Sequence, residues 1–342
     1  MMVTRIKPKG EDLDQLIDDY QSASKRGRIE LAGQWGITIG TLRNWIDQSD
    51  HPQKASKLKQ PSLSWHEHIN LLKTLDRAMD RQLRVPNDIF REIRTDKPVG
   101  IVFTADWQLG QHGVDYEAFA DDMEAICQQP YIKVSVGGDG YQNIIEPKKI
   151  GSSHNQAPIS VQKALYVQTL EKLIESDKLA FIGTGNHNYW TALATGEDWD
   201  AEIVRRLQNV DPYLVYTKHG GMIRLKIGDM VYPIWREHKG PYESSFNPTH
   251  GPRQSQRVYH PEARIVVREH RHIGECTEYL YDGKKCASIR CGTYAVYDDF
   301  AQKEGFWGSN ICNPTVILWP DQDKIVAFRD MRDGFQFLNS II

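Results

Sequence analysis

From Val99 onward, short apolar runs alternate with helical stretches, and this alternation constrains the fold more than any other feature of the chain. VGIVFTA (99–105), YIKVSV (131–136) and KLAFIGT (178–184) have the length and β-branched content of strands, with helical spacing around 116–127, 160–176 and 199–208. Strands that alternate with helices imply βαβ units and a buried, largely parallel or mixed sheet. The last third changes texture. MIRLKIGDMVYPIWRE, TEYLYDGKKCASIRC and TVILWPDQDKIVAF each read as two strands around a tight Gly- or Asp-containing turn. The expectation is an α/β protein in which a second, more antiparallel sheet packs on the first.

Residues 9 to 49 have a different pattern. In ELAGQWGITIGTLRNWI, Ala32 precedes Gly36 by four residues, and Ile37, Leu42 and Trp45 follow at apolar spacing. A small residue at a helix crossing, a glycine for the tight turn and buried positions on the second helix are the requirements of a helix-turn-helix. The pattern resembles the helix-turn-helix of resolvase-like and homeodomain-like DNA-binding domains. By that resemblance Thr41, Arg43 and Asn44 would face DNA bases, with Lys25, Arg26 and Arg28 on phosphates. Read without it, the unit is a three-helix knob whose charges form a solvated face. Residues 50–63 are lysine-rich and bracketed by prolines, as in linkers. Ile69, Leu71, Leu72, Leu75 and Met79 recur at helical spacing within 64–83, an amphipathic helix that would either cap the next domain or serve as a partner surface for homo-oligomer formation. The predicted organisation is 1–49 helix-turn-helix, 50–63 linker, 64–96 connecting helical segment and 97–342 α/β domain.

Composition bounds the setting. With 40% hydrophobic and 25% charged residues the chain reads as globular, and a net charge of −3 points to no partner. Its five cysteines are odd in number and contain no CxxC, which argues against a disulfide framework and against a cysteine-built zinc site. No apolar leader or membrane-length run is present, so a cytoplasmic protein is expected.

The strand-like runs share one property: each ends in residues able to bind a metal. VGIVFTA runs into Asp106 and Gln108, YIKVSV into Gly138 and Asp139, and KLAFIGT into Asn186 and His187. VYPIWRE runs into His238, and RIVVRE into His270 and His272. Singly, each has an ordinary explanation as a cap, a turn or a surface histidine. Jointly they place donors where the carboxyl ends of α/β strands gather ligands.

The order D-x-Q, G-D, G-N-H, H, H-x-H resembles that of the calcineurin-like metallophosphoesterases, a family that includes SbcD nucleases and whose usual signature is D-x-H, GDxxD, GNH(D/E), H and GHxH. The resemblance spans 99–330. It implies a four-layer α/β/β/α metallophosphoesterase sandwich and two divalent metal ions, most naturally Mn²⁺, with Zn²⁺, Fe²⁺ or Mg²⁺ as alternatives. By the family pattern Asp106, Gln108, Asp139 and His272 would surround one ion, and Asp139, Asn186, His238 and His270 the other. Asp139 would bridge the pair, and His187 would stand outside the ligands as proton donor to the leaving oxygen. Two such ions about 3.5 to 4 Å apart activate a water for in-line displacement at phosphorus.

The sequence departs from the pattern at Gln108, where the family has histidine, at Gln142 for the second aspartate of GDxxD, and at Glu269 for the glycine of GHxH. A neutral amide is a weaker ligand than imidazole, which makes the first metal conditional. Between His238 and His270, the stretch 238–257 (HKGPYESSFNPTHGPRQSQR) is too rich in Pro, Gly and polar residues for a helix or strand. It is expected to overhang the metals, with Arg253 and Arg257 on substrate phosphate and His250 as an alternative to His238. Combined with a helix-turn-helix, the domain looks like phage and prophage enzymes. The reading favours a DNA nuclease or phosphodiesterase, against a nucleotide or small-molecule phosphatase and against a non-catalytic DNA-binding protein with a degenerate phosphoesterase fold.

Overall fold

In a computed structural model the chain is described over residues 7–49, 64–83, 88–145, 156–244, 246–297 and 309–342. The stretch read as a linker, 50–63, lies outside the described residues. The chain divides into two compact units, Met1–Leu83 and Arg84–Ile342.

Among the described residues the first unit holds four helices: α1 (Glu11–Ser22), α2 (Lys25–Gln34), α3 (Ile39–Asp47) and α4 (Trp65–Leu83). Leu16, Ala32 and Leu42 form a small buried core, ringed by Tyr20, Leu31, Trp35, Ile37 and Trp45. Gly36 takes a left-handed φ of 61°, which lets the chain reverse between α2 and α3. Ser24 and Thr38 cap the two helices by accepting from the amides of Gly27 and Thr41. Along α4, Trp65, Leu71, Leu72 and Leu75 are exposed.

The second unit contains two six-stranded sheets. In the first sheet the order is β12 (Ile325–Phe328), β11 (Thr315–Leu318), β2 (Val99–Thr104), β3 (Ile132–Val136), β4 (Leu179–Gly183) and β5 (Val215–Thr217). Strands β2 to β5 are parallel, and β11 and β12 add an antiparallel hairpin at one edge. In the second sheet the order is β1 (Asp88–Ile93), β6 (Gly220–Ile227), β7 (Met230–Glu237), β8 (Ile265–Arg268), β10 (Lys284–Arg290) and β9 (Glu275–Tyr281). This sheet mixes antiparallel β6–β7 and β9–β10 hairpins with parallel β1–β6, β7–β8 and β8–β10 pairs.

Side-chain alternation divides the core into layers, since neighbouring residues of a strand face opposite sides. Ile101, Phe103 and Phe181 of the first sheet meet Ile223, Leu225, Ile234, Val267 and Ile289 of the second in one apolar layer. The intervening residues Val102, Val134, Val136 and Ile182 face outward. They pack under α5 (Tyr116–Gln128), α6 (Ile159–Glu175), α8 (Trp199–Leu207) and α10 (Met331–Ile341). On the far side of the second sheet, Met222, Val266 and Trp235 form a small cluster, and α9 (His250–Tyr259) packs on β8 and β10. The α/β class and the two packed sheets agree with the sequence. The third hairpin differs: it extends the first sheet, because β11 pairs with β2. The connecting segment 64–96 also carries more than a helix, since β1 runs over Asp88–Ile93.

Residues 250–259, expected to have no regular structure, form α9. Gly251 and Pro252 fall in its first turn, where proline costs no hydrogen bond. Its polar side chains are polar because they are buried and paired: Gln256 donates to the Ala263 carbonyl at 2.6 Å, and Ser255 donates to Glu237 at 2.9 Å. That pairing belongs to a larger network around Arg268, a side chain with 0% exposure. Its Nε donates to Glu237 at 2.9 Å, its Nη2 to Ser255 at 2.6 Å, and its Nη1 to the Pro241 carbonyl at 2.5 Å. Arg290 adds Glu243 at 2.6 Å and the Pro248 carbonyl at 2.9 Å, so two arginines fasten Pro241, Glu243 and Pro248 onto the sheet. Arg268→Met would leave the Glu237 carboxylate buried without its cation. The expected loss is about 3 to 5 kcal/mol, read from the urea midpoint of the full chain; a loss under about 1 kcal/mol would show that the network does not hold this region.

Candidate metal centre

The loops after β2, β3 and β4 and those after β7 and β8 meet at one end of the two sheets. Asp106 and Gln108 follow β2, Asp139 follows β3, Asn186 follows β4, His238 follows β7, and His270 and His272 follow β8. Gly138 and Gly185 make this convergence possible. A side chain on Gly138 would strike the backbone of Gly185, and one on Gly185 would strike the Asp139 carboxylate. Asp106, Gln108, Asp139, His270 and His272, five of the seven predicted ligands, have left-handed φ between 50° and 77°. Such strain persists where the surroundings impose it and clusters at functional sites.

Asp139, His238 and His270 offer donor atoms that all lie within 4.8 Å of one another, a group able to hold a metal ion. His238 Nε2 lies 3.2 Å from Asp139 Oδ2 and 3.0 Å from Asn186 Oδ1. On its other side, Nδ1 is 3.0 Å from Glu269 Oε2. A histidine whose Nδ1–H donates to a carboxylate presents its Nε2 lone pair as a ligand, the usual support for a metal-binding imidazole. Burial alone would raise the Asp139 carboxyl, but the imidazoles of His238 and His187 and the His187 amide hold it well below the usual carboxylate range. His270 is pushed down to about 4 by burial and by neighbouring His238, which leaves it neutral. Against the lowering effect of burial, Asp139 and Glu269 push His238 well above its usual range, so a metal ion there would displace its proton.

Beside this group, Asp106, Gln108 and His272 form the second half. Asp106 Oδ2 accepts from the His270 amide at 2.9 Å, while its Oδ1 stands 3.6 Å from His272 Nε2. Gln108 Nε2 is 3.4 Å from the same nitrogen. Asp106 Oδ1 and Gln108 Oε1 are buried and have no hydrogen-bond partner among the described residues. Buried acceptors left without donors are costly, and a cation is what carboxylate and amide oxygens beside an imidazole would accept. The residues present therefore fit a divalent metal ion.

Asn186 and His187 open a helix, α7 (Asn186–Thr195). The His187 amide donates to Asp139 Oδ1 at 2.8 Å. Its ring stacks on Trp190, with centroids 4.2 Å apart, and its Nδ1 meets the Gln142 carbonyl at 2.7 Å. This leaves Nε2 as the free nitrogen, 4.0 Å from Asp139 Oδ2. Asn143 Nδ2 donates to the His187 carbonyl at 2.6 Å, so the GDGYQN stretch holds His187 in place rather than contributing a second carboxylate.

The other predicted residues lie elsewhere. His250 begins α9, and the donor group forms without it. Arg253 lies 4.7 Å over the Tyr279 ring, and Arg257 is exposed in the last turn of α9. In the first unit Lys25, Arg26, Arg43 and Asn44 are exposed, though Arg26 is paired with Glu30 at 3.1 Å and Arg43 donates to the Tyr20 hydroxyl at 3.1 Å. Arg28 folds over Tyr20, and Thr41 meets Thr38 Oγ1 at 2.9 Å.

No family model matches the chain, and no curated protein is similar to it. Among solved structures, the chain is similar to the nuclease MPE of Pseudomonas putida, at 10% identity and a TM-score of 0.31 over 67% of this chain and 87% of that one. A hypothetical protein of Pyrococcus horikoshii OT3 is similar at 10% identity and a TM-score of 0.35 over 71% of this chain and 94% of that one. Likenesses of this size say nothing of what the chain does. Among the described residues no helix is long and apolar enough to cross a membrane.

Sequence reasoning missed Asp200, which braces the segment carrying Asn186 from both sides. Thr184 donates to its Oδ2, and Asn188 donates to Oδ1 at 3.0 Å. Burial pushes the Asp200 carboxyl up to about 7, against the lowering effect of those two partners. A carboxyl raised from its unfolded value of about 3.9 contributes stability that is complete below that value and lost as pH rises through the folded one. Melting temperature should therefore fall from about pH 4 to about pH 7 and level off above it. Asp200→Asn keeps both partners without the charge and should flatten that fall; a profile as steep as wild type would place the titration elsewhere.

Proposed function

We propose that the second unit is a metal-dependent hydrolase of phosphodiester bonds, of the calcineurin-like metallophosphoesterase type, with DNA as its substrate. The observation that carries the reading is the meeting of Asp139, His238 and His270 beside two buried oxygens, Asp106 Oδ1 and Gln108 Oε1, that have no hydrogen-bond partner among the described residues. Asp106, Gln108, Asp139, Asn186, His238, His270 and His272 would hold the metal. When bound, divalent ions there supply Lewis acidity toward phosphoryl oxygens and an activated water for displacement at phosphorus.

The protein's own groups have separate tasks. Asp139, with one oxygen toward His238 and the other on the His187 amide, ties the metal-facing residues to the residue beside them. His187 would hold a proton at Nε2 and pass it to the leaving oxygen as the P–O bond breaks. The Gln142 carbonyl on Nδ1 and the Trp190 ring keep its imidazole in one orientation. The three-helix part of the first unit, with Lys25, Arg26, Arg43 and Asn44 outward, would hold DNA; α4 would serve self-association through its exposed leucines.

The first experiment is an assay of purified protein with Mn²⁺ against linear duplex DNA, single-stranded DNA, a cyclic nucleotide and a nitrophenyl phosphodiester. Cleavage of DNA that vanishes with chelator supports the reading; turnover of the cyclic nucleotide alone would favour a nucleotide phosphodiesterase. Asp139→Ala should lose metal by elemental analysis and activity with it. His187→Ala should retain metal and lose about 10²- to 10⁴-fold in kcat on DNA, but much less on the nitrophenyl ester, whose leaving group needs no proton. Metal loss in that variant would make His187 a ligand. Removing residues 1–60 should leave nitrophenyl ester hydrolysis intact and weaken DNA binding in a salt-dependent way. Unchanged DNA affinity would make the helical unit a protein-docking element.

A further inference from the structure

The opposite end of the second unit holds a cavity of about 380 Å³. It is lined at the first residues of β2 and β3, Val99 and Ile132, and at Lys178 just before β4. The metal-facing loops leave the other ends of these strands, about 17 Å away at roughly 3.3 Å per residue. Four cations line the cavity, Arg91, Arg94, Lys133 and Lys178, together with two carboxylates, Glu92 and Asp177.

Arg91 is the anomaly. Ile89 and Ile93, two residues to either side of it on β1, pack against the apolar layer between the sheets. Arg91 shares their face and is 7% exposed, at a position where the strand pattern calls for an apolar side chain. Its Nη2 reaches Asp211 Oδ2 at 2.8 Å. Its Nε and Nη1 are buried with no hydrogen-bond partner among the described residues. Guanidinium donors left in this state carry the full cost of desolvation, which an acceptor of opposite charge removes.

The carboxylates nearby are already engaged. Glu92 pairs with Lys226 at 2.9 Å and lies 3.3 Å from Arg94; Asp177 pairs with Lys133 at 2.6 Å. Lys178 donates to the neutral carbonyl of Gln129 at 2.7 Å. Burial and the charge of Lys133 push the Lys178 ammonium down. The cavity thus has surplus positive charge along its lining.

We propose that this cavity is an anion site, distinct from the metal centre, that receives a phosphate group through Arg91, Arg94 and Lys178. The phosphate is either free or the terminal group of a nucleoside monophosphate; about 380 Å³ accommodates both, being within the usual size of small-ligand pockets. Planar guanidinium groups match phosphate oxygens, and Arg91 and Arg94 bring two of them to the lining. The proposal does not rest on the phosphoesterase reading.

The test is calorimetry on the full chain in chelator, so that no metal ion recruits phosphate, with inorganic phosphate and adenosine monophosphate as probes. Saturable binding of either is expected, weakened about tenfold or more in Arg91→Met and unchanged in His270→Ala. Binding of the nucleotide about tenfold tighter than phosphate assigns the nucleotide as source; equal binding assigns free phosphate. Should Arg91→Met fail to fold, Lys178→Met serves instead, with about threefold or greater weakening expected. Absence of saturable binding by wild type overturns the proposal. So does wild-type affinity in the folded Arg91 variant, or in Lys178→Met where that stands in, or equal loss in His270→Ala.

Discussion

The Glu269 carboxylate is the constraint on which the metal centre depends. It follows β8 of the second sheet and accepts from three donors: Arg236 Nη2 at 2.6 Å, the Gly138 amide at 2.7 Å and, at 3.0 Å, His238 Nδ1. Arg236 belongs to β7 of the same sheet, whereas Gly138 follows β3 of the other. One buried side chain therefore ties the ends of the two sheets together at the metal centre, beside a middle layer that is apolar and gives attraction without fixing position. Burial would raise its carboxyl, but Arg236, His238 and the Gly138 amide hold it below the usual range, so it stays charged. A charged, triply bonded carboxylate in a dry interior tolerates little displacement. The residue that breaks the family's GHxH pattern is thus the one that orients His238 and fixes the distance between Asp139 and the histidines.

Around this lock the backbone is bent to an unusual degree. Asp106, Gln108, Asp139, His270 and His272 all take left-handed φ, a conformation costing a non-glycine residue about 1 kcal/mol or more. The compensation is visible at each turn: the Asp106 amide donates to the Gly138 carbonyl at 2.9 Å, and the Gln108 amide donates to the Asp139 carbonyl at 3.0 Å. The loops after β2 and β3 thereby continue the sheet's hydrogen bonding past the strands while aiming their side chains at one point. Gly138 and Gly185 take the contacts that no Cβ could occupy.

How much of this was legible in the sequence follows from how the relevant residues earn their stability. Strands β2, β3 and β4 announce themselves because both faces are buried, which makes them near-continuous apolar runs. The donor residues stand out only jointly: each alone reads as a cap, a turn or a surface histidine, and it is their recurrence at the ends of five runs that the sequence shows. Helix α9 was hidden because its inward face is Ser255 and Gln256, buried through hydrogen bonds to Glu237, Tyr279 and the Ala263 carbonyl, so it has no apolar stripe to read. Strand β1 was hidden by Arg91, a charge on its core face. Helix α7 was hidden because Gly-Asn-His-Asn has turn composition, and only Asp139 accepting the His187 amide explains why a helix begins there. In each case a buried polar contact, made by residues distant in sequence, replaces the hydrophobic period on which local reading relies.

The two halves of the centre are built by opposite rules. Around His238 every polar atom has protein partners: Glu269 on one nitrogen, Asp139 and Asn186 on the other. This half is organised before any ligand arrives. The half formed by Asp106 and Gln108 keeps Oδ1 and Oε1 buried without hydrogen bonds among the described residues, an arrangement that burdens the protein until something positive is bound. An amide oxygen carries no formal charge, so Gln108 attracts a cation less than a carboxylate would, yet it is also less costly to bury unmet. Under the proposed function, the organised half with its carboxylate and two imidazoles would fill first. The half with the neutral amide would hold a cation the more weakly.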